Sequence, residues 1–135
     1  MKTYHEFHDG LFEGLWIDDK RVHVFLSTSD KQRFTMVVEG LAGLHVDDLK
    51  KGNIIFEVVT KANDEWSEDD VEALPELQMI DKSKTNVLLI RAREQKLSLL
   101  EINPSYGGSC LVLAQAFDLL TRKEWLERHL FGAAR

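Results

Sequence analysis

The sequence predicts a β-rich α+β fold, with about seven mainly antiparallel strands in a sandwich or a strongly curved sheet. Apolar stretches recur along the 135 residues, and most of them alternate with polar residues at the period of a strand. Polar or glycine-bearing turns join neighbouring stretches in pairs, as in antiparallel hairpins. Helix signals are confined to a short acidic mid-chain stretch and to the C-terminal end.

The first three strands form a predicted meander. Leu11 to Ile17 and Arg21 to Thr28 flank a turn at Asp18-Asp19-Lys20, whose acidic residues favour turns. Arg33 to Glu39 follows as the third strand and stops before Gly40. Alternation divides the second strand into two faces, with Val22, Val24 and Leu26 on one and His23, Phe25 and Ser27 on the other.

The fourth strand, Asn53 to Thr60, is apolar on both faces. Its two predicted faces are Ile54, Phe56 and Val58 on one side, and Ile55 and Val59 on the other. A strand of this kind is buried on both sides, which favours a sandwich or a sheet covered by a helix or a partner.

The last three strands are predicted at Thr85 to Arg91, Gln95 to Ile102 and Cys110 to Phe117. The first two form a hairpin candidate. The segment Asn103-Pro104-Ser105-Tyr106-Gly107-Gly108 is the strongest turn signal in the chain, and Gly107 or Gly108 is expected at positive φ.

Two short helices complete the prediction. Ser67 can cap a helix with Asp70 three residues later, within the acidic insert Lys61 to Asp81, and Pro75 limits its length. Thr121 and Glu124 form a capping box, so a C-terminal helix should begin at Arg122. Leu120 and Trp125 occupy the positions of a hydrophobic staple. Trp125, Leu126, His129 and Leu130 should face the sheet, and Gly132 should end the helix.

Length and charge favour a single domain, residues 1–135, without affinity for phosphate backbones. Lys and Arg total 17 against 23 Asp and Glu, a net charge of −6, which opposes nucleic-acid binding. We expect no membrane span, because the apolar runs are shorter than the roughly 20 residues needed, and we expect a cytoplasmic protein. Cys110 is the only cysteine, and its apolar neighbours predict a buried thiol.

His5, His8 and Asp9 are the candidate metal or proton-transfer residues. Imidazoles and a carboxylate are zinc ligands and proton carriers. A spacing of three residues joins His5 and His8 on a helix, whereas an extended segment separates them. The alternative is structural, with Asp9 and Gly10 shaping a turn. The other histidines, His23, His45 and His129, are expected to be partly buried and hydrogen-bonded.

The acidic insert is the candidate binding surface. It has eight carboxylates in the 21 residues from Lys61 to Asp81, and one aromatic residue, Trp66. Such a patch steers basic partners, although acidic stretches are commonly only solvated surface. The predicted binding residues are Asp64, Glu65, Trp66, Glu68, Asp69, Asp70 and Glu72.

Three motifs carry a resemblance to a family. They are Phe7-His8-Asp9-Gly10, then Gly52-Asn53-Ile54-Ile55 after Val46-Asp47-Asp48-Leu49, then Asn103-Pro104-Ser105-Tyr106-Gly107-Gly108. Together they resemble landmarks of small uncharacterised bacterial β-rich proteins, some of which are similar to immunity proteins of toxin systems. The resemblance spans about residues 5 to 117 and implies structural turns without a transferable catalytic residue. The acidic insert and the C-terminal helix fall outside it.

Three functions remain open at this stage. The first is a non-catalytic interaction module, an inhibitor or immunity-like protein, that binds a basic partner. The second is a small-molecule binding or metal-assisted hydrolytic domain that uses the His5, His8 and Asp9 region, or a pocket lined by Trp16, Phe25, Phe56 and a histidine. The third is a homo-oligomer built through an unprotected sheet edge or through the helix with Trp125. We expect no cofactor.

Overall fold

The computed structural model describes residues 1–74 and 89–131 and confirms a β-rich, antiparallel fold with a short C-terminal helix. The strands in this part of the chain are β1 Lys2–Thr3, β2 Leu11–Ile17, β3 Arg21–Ser27, β4 Arg33–Asp47, β5 Asn53–Lys61, β6 Ser98–Tyr106 and β7 Ser109–Thr121. Every pairing between them is antiparallel.

The strands close into a barrel instead of separating into the two sheets of a sandwich. Their order is β1-β5-β2-β3-β4-β7-β6, and an additional pairing of β5 with β6 closes six of them, while β1 lies outside on β5. The long strands β4 and β7 pair along nearly their whole lengths, with a bulge between Leu41 and Gly43. Bulges bend strands and increase their twist, which lets one sheet curl until its ends meet.

The barrel interior is a packed core. Val22, Val24 and Leu26 point inward from β3, as the alternation predicts. The other buried members of this core are Tyr4, Phe7, Phe12, Met36, Val38, Ile55, Val58, Leu100, Ile102, Cys110, Val112 and Ala114. Side chains therefore fill the interior, as in other barrels with few strands.

The predicted faces of β5 are wrong because of backbone irregularities. Ile55 and Val58 both point into the core, although simple alternation places them on opposite sides. Register shifts in the pairing with β6 lie between Ile54 and Ile55 and between Ile55 and Glu57. The second shift inserts Phe56 into β5 and so resets the alternation of that strand. Ile54 and Phe56 consequently become exposed.

Several strand boundaries also differ from the prediction. The predicted third strand ends at Glu39, whereas β4 continues to Asp47. Gly40 lies within β4 at φ 67°. β6 continues through Pro104 to Tyr106, so the turn contracts to Gly107 and Gly108, with Gly107 at φ 82°.

The predicted strand Thr85 to Arg91 is wrong where it can be compared. Residues 89–94 are helical, and residues 85–88 lie outside the described part of the chain. Leu89 and Ala92 pack with Trp66 and Leu97 in a second apolar cluster on the outside of the barrel. Their spacing of three residues fits one face of a helix.

Both predicted helix starts are confirmed. α1, Glu68–Val71, begins after Ser67, whose N–H donates to the Asp70 carboxylate at 2.9 Å. The C-terminal helix, Arg122–Trp125, begins after Thr121, whose hydroxyl accepts from Glu124 N–H at 3.2 Å, and a π-helical turn, Leu126–Phe131, extends it. Leu130 is exposed, contrary to the prediction, and Gly132 lies outside the described residues. None of the helices in the described ranges is long and apolar enough to span a bilayer.

The three resemblance motifs meet at the start of β5. Asn53 accepts from Gly108 N–H at 2.7 Å and donates to Phe12 O at 3.2 Å. Ile55 N–H donates to Gly10 O at 2.9 Å, and a Cβ on Gly10 would lie 2.0 Å from Ser27 O. A Cβ on Gly107 would lie 2.5 Å from the Asn53 side-chain oxygen. These contacts therefore hold the neighbouring strand ends of the barrel together, which is a structural role.

Candidate functional site

The acidic segment, residues 64–72, is held on the barrel by its aromatic residue. Trp66 is 2% exposed and packs in the apolar cluster with Val71, Leu97 and Leu99. Its indole N–H donates to Leu97 O at 2.8 Å. Trp66 therefore does not project toward a partner as the sequence suggested, and instead fixes the position of the neighbouring carboxylates.

Arg93 holds the same segment from its other side. The guanidinium lies 3.7 Å from the centroid of the Trp66 ring, within cation-π distance. It also donates to the backbone carbonyls of Asn63 and Trp66. The forked geometry of arginine allows these contacts at once. The backbone on both sides of Asp64 and Glu65 is consequently tied to the helical residues 89–94.

Two carboxylates of the segment are used internally. Asp70 pairs with Lys61 at 3.2 Å, and Lys61 also pairs with Glu101 at 3.2 Å. Partial burial by itself raises the pKa of Asp70, but Ser67 N–H and Lys61 outweigh it and lower that pKa. Glu65 accepts from Ala62 N–H at 2.8 Å. These two side chains hold the segment together and are less available to a partner.

The remaining carboxylates face solvent. Asp64, Glu68, Asp69 and Glu72 are all exposed. Glu68 and Asp69 lie in the first turn of α1. The predicted binding residues thus divide into an exposed acidic set, a structural set of Glu65 and Asp70, and the buried Trp66.

His5, His8 and Asp9 do not converge on a metal-binding geometry. His8 donates from Nδ1 to Phe56 O at 2.9 Å, and its Nε2 lies 3.7 Å from Asp9 Oδ2, beyond hydrogen-bond distance. His5 and His8 line a shallow groove of about 200 Å³ with Phe56 and Glu57. Within residues 1–74 and 89–131, no group of three His, Cys, Asp or Glu side chains could hold a metal ion.

A buried polar cluster that the sequence did not predict joins the β2–β3 hairpin to the C-terminal helix. His23 is 1% exposed and lies between Asp18 and Trp125. Trp125 Nε1–H donates to His23 Nδ1 at 3.0 Å, so the imidazole proton is on Nε2, which donates to Asp18 Oδ2 at 2.8 Å. The hydrogen bond from His23, followed by that from Lys20 N–H, lowers the pKa of Asp18 to about 2.

The aromatic residues suggested for a pocket lie in two places. Trp16 stacks on His23 with centroids 4.8 Å apart, and both Trp16 and Phe25 contact Trp125 edge to face. Phe56 contacts His8 instead. Trp125 is buried against the sheet as predicted, whereas Trp16 is 43% exposed.

A row of exposed apolar residues crosses three strands of the barrel. Leu11 of β2 pairs with Ile54 of β5, which pairs with Tyr106 of β6. All three side chains are exposed, as is Phe56 two residues farther along β5. Exposed apolar groups in neighbouring positions are typical of surfaces that contact other molecules.

Cys110 is inert in this fold. Its side chain points into the barrel core, where burial raises the pKa of the thiol to about 12. The thiolate, which is the nucleophilic form, is therefore suppressed at neutral pH. This confirms the buried thiol that the sequence predicts.

Comparisons with known proteins give no relative. No family model matches the chain, and neither a curated protein nor a solved structure matches it significantly.

Proposed function

We infer that the protein is a non-catalytic interaction module that binds a basic protein partner through its acidic segment. The observation that carries this proposal is the anchoring of that segment. Trp66 is buried and hydrogen-bonded, and Arg93 binds the backbone beside it, while the carboxylates of Asp64, Glu68 and Asp69 face solvent. A backbone that is fixed before binding loses little freedom when a partner arrives, so ordering offsets less of the attraction between these carboxylates and basic groups.

The partner chemistry follows from the charge of this surface. Residues 61–74 contain six carboxylates and one lysine, and that lysine pairs with Asp70 and Glu101. In the described ranges no basic side chain pairs with Glu68 or Asp69, so lysine and arginine side chains of a partner could bind these carboxylates. The resemblance to immunity-like proteins suggests an inhibitor of a basic toxin domain in the cytoplasm.

Binding is better supported than turnover. Among the described hydrogen bonds, none joins a serine, threonine or cysteine to a histidine, as a nucleophile and its base would be joined. His5 and His8 share a groove, but His8 already donates to Phe56 O. The small-molecule or hydrolytic alternative rests on that groove alone.

The test is affinity capture from extracts of the native host, using the full chain as bait. The double variant Glu68→Gln with Asp69→Asn removes two exposed charges with little change in size. The matched control, Glu6→Gln with Glu127→Gln, removes two exposed charges elsewhere. We expect the wild type and the control to retain the same basic protein, and the double variant to lose it.

Salt and anchoring provide two further readouts. Raising the salt concentration from about 50 mM to 300 mM should release the partner, because added salt screens exposed charges. Trp66→Phe, which keeps every carboxylate but removes the N–H that Leu97 O accepts, should weaken capture. Equal retention by the wild type and the Glu68/Asp69 double variant would contradict the proposal.

A further inference from the structure

One side of β2 has no partner strand over its second half. β2 pairs with β3 from Leu11 to Ile17, but its pairing with β5 covers only Leu11 and Phe12. A register shift between Phe12 and Gly14 follows directly. This shift lies in the pairing with β3, and such a bulge bends the strand and increases its twist. In the described ranges, residues 13–17 therefore form an open strand edge.

The hairpin geometry identifies which backbone groups are open. Asp18 N–H donates to Arg21 O at 3.0 Å, so this pair is hydrogen-bonded. Opposed residues in antiparallel strands alternate between hydrogen-bonded and non-hydrogen-bonded pairs. Trp16 consequently exchanges hydrogen bonds with His23 of β3. Leu15 and Ile17 point their N–H and C=O groups away from β3, toward the open edge.

The side chains along this edge do not protect it. Exposed edges are commonly blocked by lysine, proline or inward-pointing charges, because unpaired backbone groups attract another strand. The centre of the edge consists of Leu15, Trp16 and Ile17, and Ile17 is 54% exposed. Charged residues lie only at its two ends, with Glu13 at the bulge and Asp18 in the turn.

The edge is complementary to itself. In an antiparallel pairing of two copies centred on Leu15, the two Leu15 residues face each other, Trp16 of each copy faces Gly14 of the other, and Ile17 of each copy faces Glu13 of the other. Gly14 has φ 147°, which favours glycine, and the space beyond its missing Cβ is empty within 4 Å. Trp16 is 43% exposed and can cover that space, in the way that aromatic residues shield glycines across strands.

We propose that two copies of this chain associate through residues 13–17 of β2, as a two-fold antiparallel strand pair centred on Leu15. The pairing joins the two barrels by main-chain hydrogen bonds between the two Leu15 residues and between Ile17 and Glu13, and by two Trp16–Gly14 contacts. Two-fold pairing of identical surfaces is the commonest arrangement of homodimers. Because the contact is short, we expect a dissociation constant between about 10 µM and 1 mM. The dimer does not depend on the acidic segment.

Amide hydrogen exchange of the wild-type chain tests this pairing residue by residue. Between about 10 µM and 1 mM protein, exchange at Leu15 and Ile17 should slow at least threefold. Exchange at Trp16, whose N–H already bonds to β3, should change little. Fast exchange at Leu15 and Ile17 throughout this range, or full protection at every concentration, would overturn the proposal.

A pair of variants at Ile17 gives an independent test. Ile17→Pro deletes an outward N–H, whereas Ile17→Thr keeps it and also favours a strand. In sedimentation equilibrium, the apparent mass of the wild type and of Ile17→Thr should rise with protein concentration from 15.5 kDa toward twice that value. Ile17→Pro should stay monomeric, and its circular dichroism spectrum should be unchanged. A dimer that persists in folded Ile17→Pro would overturn the proposal. If Ile17→Pro does not fold, the exchange measurement on the wild type decides.

Discussion

The indole of Trp125 donates a hydrogen bond to Nδ1 of His23 at 3.0 Å, and this contact joins residues 102 positions apart in the chain. Both side chains are buried on the outside of β3, where Phe25 and Val37 pack against Trp125. Nδ1 of His23 accepts, so Nε2 is free to donate to Asp18 in the hairpin turn. One imidazole therefore ties the C-terminal helix to the turn between β2 and β3.

Removing the Trp125 indole N–H should lower the free energy of unfolding. Trp125→Phe leaves an aromatic ring but deprives His23 Nδ1 of its donor in a buried site. An unsatisfied buried acceptor and the lost ring volume together cost about 2 to 3 kcal/mol. Urea denaturation measures the difference. Trp16→Phe is the matched control. Because Trp16 is exposed, this change should lower the free energy of unfolding by less than about 1 kcal/mol. Equal losses at both positions would contradict a specific role for the Trp125–His23 bond.

The Asp18–His23 contact should make the fold sensitive to strong acid. The pKa of Asp18 is lowered from 3.8 to about 2, chiefly by the hydrogen bond from His23. A lowered carboxyl pKa stabilises the fold above pH 3.8, and this stabilisation is lost as the pH falls through 2. The Asp18 side chain is 29% exposed, so solvent screening limits the contribution to on the order of 1 kcal/mol.

Asp18→Asn should remove this part of the pH dependence. The difference in unfolding free energy between the wild type and Asp18→Asn is expected to be largest near neutral pH and to shrink between pH 4 and pH 2, as followed by urea denaturation. Asp19→Asn changes the exposed neighbour in the same turn and should leave the wild-type profile intact. A constant difference across that pH range for Asp18→Asn would exclude the carboxylate as its cause.

Local patterns predict much of this fold because they report local physics. The inward face of β3 follows from alternation, and the start of the C-terminal helix follows from Thr121 and Glu124. The prediction of the two faces of β5 is wrong because the register shifts depend on how β5 pairs with β6. The strand predicted at Thr85 to Arg91 is wrong over residues 89–91, because Leu89 and Ala92 pack on one helical face against Trp66, which is distant in sequence. An apolar run of that length fits either a helix or a strand.

The candidate site was predicted only in part, for the same reason. Composition alone identifies the acidic segment. The burial of Trp66 depends on Leu97 and Arg93, which are 31 and 27 residues away. Sequence reasoning also missed the Asp18–His23–Trp125 cluster, because its members come from a turn, a strand and the C-terminal helix. The one local signal was His23 on the Phe25 face of β3, since a histidine on an apolar face needs a buried partner.

Asn53→Asp should be strongly destabilising, although the two side chains have nearly the same shape. The Asn53 amide nitrogen donates to Phe12 O and Lys50 O, and its oxygen accepts from Lys50 N–H and Gly108 N–H. A carboxylate would turn an acceptor toward two carbonyl oxygens in a site that is 2% exposed. We expect the free energy of unfolding at pH 7 to fall by about 3 kcal/mol, as measured by thermal or urea unfolding.

Acidification provides the internal control for Asn53→Asp. A protonated aspartic acid again offers one donor and has no charge, so the loss relative to the wild type should decrease as the pH falls. Asn103→Asp is the comparison variant, because Asn103 is only partly buried and makes one side-chain bond, to Glu57. Its effect should be clearly smaller. A loss for Asn53→Asp that is the same at pH 3 and pH 7 would show that charge is not responsible.

Thr35→Val should stabilise the protein. Thr35 is fully buried between Phe25 of β3 and Leu120 of β7, and in the described part of the chain its hydroxyl has no hydrogen-bond partner. Valine has nearly the same shape without the unsatisfied hydroxyl, so the free energy of unfolding should rise by about 1 kcal/mol in urea denaturation. Thr35→Ser keeps the hydroxyl but removes the methyl group, and should lower it by about 1 kcal/mol. If Thr35→Val is instead less stable than the wild type, the hydroxyl has a partner that stabilises the fold.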